Sequence, residues 1–188
     1  QTRAMLSWME NPIGTMSGNA LEIQESIDIL KGGGPEDSVH ITALLGAHLL
    51  EMTGMASSVE EGEQMIRTSF KDGRALNIFK TMLSNHHVAP SVIQDLCAEP
   101  TSVLPQATYQ TELYSSATGY IEAIDGMDVA LLGLKMKAGR AMVGDIIDPA
   151  VGIELVKSPG DAIKKGEAWC IVHHNTPLDQ NWDEMKAN

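Results

Sequence analysis

The sequence predicts a mixed α/β (α+β) protein: the end of a helix-rich α/β domain followed by a small, β-rich C-terminal α/β domain. Three observations carry that expectation. Up to about residue 84, apolar residues recur mainly at helical spacing. From about residue 108 they gather instead in short strand-like runs divided by glycine turns. Between the two, Pro90, Pro100 and Pro105 interrupt a stretch whose periodicity fades. The expected organisation is therefore a domain end over 1–84, a connecting segment over 85–107 and a second domain over 108–188, cut short at its end.

Ala4 to Met9 is a short apolar run halted by Glu10-Asn11-Pro12-Ile13-Gly14, as a buried strand entering a loop would be. A buried strand needs neighbours on both sides, and no partner follows it closely, so its sheet is expected upstream of Gln1. A first helix is expected from about Asn19, with Ala20, Ile23, Ile27 and Leu30 on one face and Gly32-Gly33-Gly34-Pro35 closing it. Asp37 or Ser38 offers a cap for a second helix that runs to about Gly54. Ser58 and Glu61 form a capping-box pattern for a third, which Gly73 ends. A fourth turns Leu76, Phe79 and Met82 or Leu83 inward and ends by Asn85.

Beyond the connecting segment, strands are expected at 119–124, 151–155 and 168–172, with a short helix from about Met127 to Leu134 among them. The two glycine turns around Ser158 to Glu167 suit a tightly turned β-module. Asp183 to Asn188 reads as the opening of a helix.

Composition narrows the function. A formal net charge of −12 argues against a phosphate-backbone surface, because nucleic-acid binding rests on clustered Lys and Arg. No tract approaches the ~20 apolar residues a membrane span requires. Cys97 and Cys170 are the only cysteines, far apart and outside any CxxC spacing, so neither a disulfide framework nor a thiolate metal site is indicated and a reducing cytoplasmic setting is the default. The opening residues, without initiator Met or leader pattern, read as a cut through a longer protein.

Three stretches together resemble the pyrimidine nucleoside (thymidine) phosphorylase family. They are Asn11-Pro12-Ile13-Gly14 with Ser17 to Glu22 and Lys31 to Pro35; Leu104-Pro105-Gln106-Ala107; and Asp148 to Ile153 with Gly160-Asp161 and Lys164 to Glu167. Their order and spacing across nearly the whole chain make the likeness specific. The resemblance implies a homodimeric, cytoplasmic enzyme of reversible phosphorolysis, in which inorganic phosphate as co-substrate attacks the anomeric carbon of a pyrimidine nucleoside and releases base and sugar 1-phosphate. It implies no organic cofactor. The family's phosphate loop and base contacts lie upstream of this sequence, so no catalytic or substrate-binding residue is assigned and the chain alone is expected to be inactive.

One site carries over by resemblance: a potassium ion held by the main-chain carbonyls of Ile13 and Met16 and by Glu25. Oxygen ligands suit a hard monovalent cation. On a helical wheel Glu25 lies opposite the apolar stripe, so by pattern alone it is a solvated carboxylate.

Other readings compete. Lys135-Met136-Lys137 resembles the modified-lysine hairpin of biotin and lipoyl carriers, although a helix leads into it where a carrier lysine needs a tight β-turn. A non-catalytic interaction protein derived from the phosphorylase fold is a further alternative. Anthranilate phosphoribosyltransferase resembles the first two stretches without continuing into such a β-module. His86-His87 and His173-His174 are adjacent pairs whose side chains would point to opposite faces of an extended segment, which prevents chelation of one ion.

Overall fold

The structure is a computed structural model and describes residues 2–8 and 10–177. It is a mixed α/β chain, and it divides into two compact units that are not contiguous in sequence. One unit comprises the described residues up to Thr15 together with Glu22–Leu104; the other comprises Met16–Leu21 and the described chain from Pro105 onward.

The first unit is helical. Helix α1 (Asn19–Leu30) stops as its sequence predicts, with Gly32 at φ +88° and the Gly32 and Gly33 amides donating to the Ile29 and Asp28 carbonyls. That is a Schellman end, which needs a residue tolerant of positive φ. Helix α2 (Glu36–Met52) begins one residue before the expected cap: Pro35 precedes it and supplies no side-chain cap. Helix α3 (Val59–Lys71) opens on Ser58, whose hydroxyl accepts from the Glu61 amide at 3.2 Å. The Glu61 carboxylate reaches back to the Ser57 amide rather than that of Ser58, so the capping box is displaced by one residue. Helix α4 (Arg74–Asn85) follows Gly73, and of its two candidate inward residues Met82 is 45% exposed while Leu83 is half-buried.

Helices α2 and α3 meet through small residues. Ala43 and Ala47 are fully buried, and a Cβ added to Gly62 would lie 2.9 Å from the Ala47 Cα and carbonyl oxygen. Arg67 then ties the pair, bonding to Glu63 on its own helix at 2.9 Å and to Glu36 of α2 at 2.8 Å.

Two expectations for this region need correction. Within the expected connecting segment lies a helix, α5 (Pro90–Ala98), which buries Ile93, Leu96 and Cys97. Pro90 starts it, because its missing N–H costs nothing in the first turn; reading that proline only as a breaker hid the helix. Residues 4–8 form no strand: Leu6 is fully exposed and Trp8 is 73% exposed. No described segment pairs with them, and a strand without a ladder partner has nothing to satisfy its backbone groups. The expected end of that strand, Met9, and the helix opening at Asp183 to Asn188 lie outside the described residues.

In the second unit, a four-stranded antiparallel sheet runs in the order β1-β4-β6-β2: β1 (Met16–Ser17), β4 (Gly152–Leu155), β6 (Ala168–His174) and β2 (Tyr109–Tyr114). A small ribbon pairs β3 (Gly119–Tyr120) with β5 (Ala162–Ile163). Strand β2 went unpredicted. Its alternating, largely exposed pattern is that of an edge strand with only Thr111 and Leu113 turned partly inward. The expected strand at 119–124 shrinks to two residues, after which the chain is irregular until Asp125 caps helix α6 (Gly126–Lys135) through the Met127 and Asp128 amides.

One face of the sheet carries Ile153, Leu155, Cys170 and Val172, which with Ile124 form the buried core; Val129, Leu132 and Met136 close over it. Across β1 and β4 the backbones approach closely: a Cβ on Gly152 would fall 2.3 Å from the Ser17 carbonyl oxygen, and one on Gly18 2.5 Å from that of Val151. Glycine is the one residue these two positions accept, which gives a physical reason for the Ser-Gly-Asn and Val-Gly-Ile stretches.

Candidate functional site

In the first unit, the loop over Pro12–Thr15 meets one carboxylate from α1 and one from α2. The Thr15 amide and hydroxyl both donate to Glu25 Oε2, at 2.7 and 2.8 Å. The Gly14 amide donates to Asp37 Oδ2 at 2.9 Å, while Asp37 Oδ1 accepts from the Ser38 amide at 2.8 Å. Ser38 Oγ lies 3.5 Å from Glu25 Oε1. Gly14 has φ +77°, and a Cβ there would lie 2.3 Å from Glu25 Oε1. Helices α1 and α2 thus each use an acidic side chain, Glu25 and Asp37, to fix consecutive loop amides. Charge-assisted bonds of this kind are among the stronger ones available to a loop.

Glu25 is therefore half-buried and bonded to the loop, which departs from the solvated carboxylate that the helical pattern alone predicts. Ile13 precedes the pinned Gly14 in the same unit, whereas Met16 lies in β1, where it registers with Glu154. Thr15, Asp37 and Ser38 escaped the sequence reading. Asp37 and Ser38 looked like capping residues of α2, and nothing in their local pattern said that Asp37 would turn to Gly14.

Among the described residues, no group of three or more His, Cys, Asp or Glu side chains is arranged to hold a metal ion. An ion here would depend on main-chain oxygens beside one carboxylate, the donor set that suits a hard monovalent cation.

The paired histidines separate as expected of extended chain. His173 Nε2 bonds to Glu154 Oε2 at 3.0 Å. That bond, foremost, holds the Glu154 carboxyl below its ordinary range, against the opposing effect of burial. His174 turns the other way, stacking on Tyr109 and bonding to Thr111 Oγ1 at 2.9 Å and to the Thr176 carbonyl at 2.8 Å. Both histidines are buried structural groups. His86 and His87 are exposed at the end of α4. Cys170 is buried, and its thiol is pushed up to about 12 by desolvation, with the Glu154 charge adding to the effect. Such a thiol is a poor nucleophile.

The carrier alternative fails on geometry. Lys135 ends α6, and Lys137 sits at φ +71°, with its amide donating to Leu134 and that of Ala138 to Gly133. This is a helix end, not a β-hairpin tip. Among the described residues, no helix is long and apolar enough to cross a membrane.

The model of the pyrimidine nucleoside phosphorylase C-terminal domain matches residues 120–188. The pyrimidine-nucleoside phosphorylase of Geobacillus stearothermophilus is 42% identical over 93% of this chain and 39% of its own length. That of Staphylococcus epidermidis strain ATCC 12228 is 38% identical over the same shares. The Bacillus subtilis enzyme is 36% identical over 100% of this chain and 41% of its own length. The chain spans about two fifths of the length of these curated relatives. The chain is similar along nearly its whole length to pyrimidine-nucleoside phosphorylases, and its residues from 120 onward match the model of that family's C-terminal domain.

Proposed function

We propose that this chain serves as the C-terminal part of a pyrimidine nucleoside phosphorylase, a pentosyltransferase of nucleoside salvage. The observation that carries the reading is the 42% identity to such an enzyme over 93% of the chain, far beyond the C-terminal domain alone. In the reaction, a phosphate oxygen forms a bond to the anomeric carbon of the sugar. The bond from that carbon to the base nitrogen breaks, its electron pair leaves with the base, and the base takes up a proton. Such catalysis rests on positioning the two reactants and stabilising the charge on the departing base.

The contribution of this chain is positional. Glu25 and the Ile13 and Met16 carbonyls would hold potassium, whose charge supports an ordered loop. Asp37 and Thr15 keep Gly14 and Glu25 in place beside that loop. No residue here supplies phosphate or base contacts, which belong to the remainder of the enzyme. The working protein in this reading is a cytoplasmic homodimer acting on nucleoside and phosphate, not on nucleic acid or membrane.

The test is release of free thymine or uracil from its nucleoside. The chain alone should release none with phosphate present, and the enzyme that contains it should release base only with phosphate present. Phosphate-independent release by that enzyme overturns the reading, and turnover by the chain alone overturns the assignment of chemistry to the remainder.

A further inference from the structure

Gly14 lets its loop turn, at φ +77°, and for the same reason leaves the loop undetermined. Glycine takes positive and negative φ about equally readily, so nothing local sets the plane of the peptide between Ile13 and Gly14. That peptide carries the Gly14 amide at one side and, at the other, the Ile13 carbonyl through which the chain would hold potassium. A trans peptide is planar and points its N–H and C=O in opposite directions, so whatever holds the one aims the other.

We propose that Asp37 aims the Ile13 carbonyl and is thereby a positioning residue for potassium, an inference that rests on the reading of Ile13 and Glu25 as ligands of that ion. Asp37 Oδ2 accepts from the Gly14 amide at 2.9 Å. Its carboxylate is fixed in turn, because Oδ1 accepts from the Ser38 amide at 2.8 Å in the first turn of α2, where the helix dipole favours negative charge. A peptide whose N–H donates to a carboxylate is polarised, and its carbonyl oxygen becomes a better ligand for a hard cation. Asp37 therefore sets both the direction of the Ile13 carbonyl and its strength as a ligand.

The neighbouring contacts fit the same ion. The next amide, that of Thr15, donates to Glu25 Oε2 at 2.7 Å, so the loop is tied separately to the one carboxylate assigned to potassium. A Cβ on Gly14 would fall 2.3 Å from Glu25 Oε1 and 2.8 Å from Ser38 Oγ, so only a bare α-carbon lets the loop come this close to that carboxylate. Ile13, Gly14, Thr15, Glu25, Asp37 and Ser38 all belong to the first unit.

The test is binding of radioactive rubidium, a close analogue of potassium, to the enzyme that contains this chain, measured by equilibrium dialysis. Asp37→Asn keeps the size of an exposed side chain but offers one acceptor where two amides need one each. It should weaken binding ~10-fold, the low end of what removing such a partner of a ligand costs. The same variant should speed hydrogen exchange at the Gly14 amide. Glu36→Gln, which removes the adjacent charge bonded to Arg67, should change neither quantity. Rubidium binding that is lost in Glu25→Gln but unchanged in Asp37→Asn overturns the role of Asp37 alone. So does an equal loss in Glu36→Gln, or weaker binding without faster Gly14 exchange, since the carboxylate then acts only as a distant charge. Failure of the unsubstituted enzyme to bind rubidium overturns the potassium site itself.

Discussion

Adding one methyl group to Gly62 should destabilise this protein even though alanine is the better helix former. The new Cβ would meet the Ala47 Cα and carbonyl oxygen at 2.9 Å and the Ala47 carbonyl carbon at 3.2 Å. All three are backbone atoms, so relief requires α2 and α3 to move apart, and the Arg67 bonds to Glu36 and Glu63 resist that motion. Overpacking costs ~1–3 kcal/mol, against a gain of up to ~1 kcal/mol in helix propensity. With the full propensity gain the net loss is up to ~2 kcal/mol, and each kcal/mol lowers the melting temperature of a unit this size by ~4–8 °C. Gly133→Ala in α6 is the control, because its Cβ would meet only the Ala138 Cβ, at an ordinary 3.7 Å. That change should stabilise by ~0.5–1 kcal/mol. Urea titrations followed by circular dichroism measure both. A Gly62→Ala midpoint at or above that of the unsubstituted chain would refute the close-packing argument.

Three further outcomes are expected. The Glu154 carboxyl is held low in the folded state, so its contribution to stability is present above the ordinary carboxylate range and is lost as pH falls through the depressed folded value; Glu154→Gln should flatten the acid limb of a stability-against-pH curve, and an unchanged limb removes the His173 pairing from the account. Neither thiol should react with an aromatic disulfide reagent at pH 8 until denaturant is added, because Cys97 and Cys170 are buried and the Cys170 thiol titrates near 12; rapid labelling of the folded chain contradicts this. Glu25→Gln should accelerate hydrogen exchange at the Thr15 amide several-fold while leaving α2 and α3 protected, and in the longer enzyme it should weaken activation by potassium; equal exchange rates would show that the carboxylate does not secure the loop.

The sequence announced its helices where local chemistry terminates them. Gly32 and Gly33 close α1, Ser58 opens α3, and Asp125 opens α6, each through a hydrogen bond made within a few residues. What escaped was set at long range. Strand β2 exists because its partner β6 lies across the sheet, pairing Tyr109 with His174, and its own exposed pattern resembles a loop. The core of the second unit includes Cys170 and Val172, whereas Trp169 and Ile171 on the same strand are only half-buried. A one-residue choice of face decides this, and the continuous apolar run of β6 hides its alternation. At the loop, the helical pattern set Glu25 in solvent and the resemblance set it beside Ile13 and Met16, but neither showed its bonds to Thr15. Asp37 was not legible at all, since its bond to Gly14 crosses 23 positions of chain.

Strand β1 has a consequence for how this protein comes to be folded. Met16 and Ser17 form the first strand of the sheet, yet their ladder partners Glu154 and Ile153 lie in β4, which is made only after β2, β3 and α6. Closing so long a loop carries an entropic cost that grows only as ~(3/2)RT ln n, so the finished sheet tolerates it, but the pairing must wait until almost everything between has been made. Excising the second unit from Pro105 onward would leave β4 as a bare edge, with the ladder groups of Gly152 to Leu155 open to any passing strand. The piece that looks separable on a linear map is stitched to its beginning by two residues.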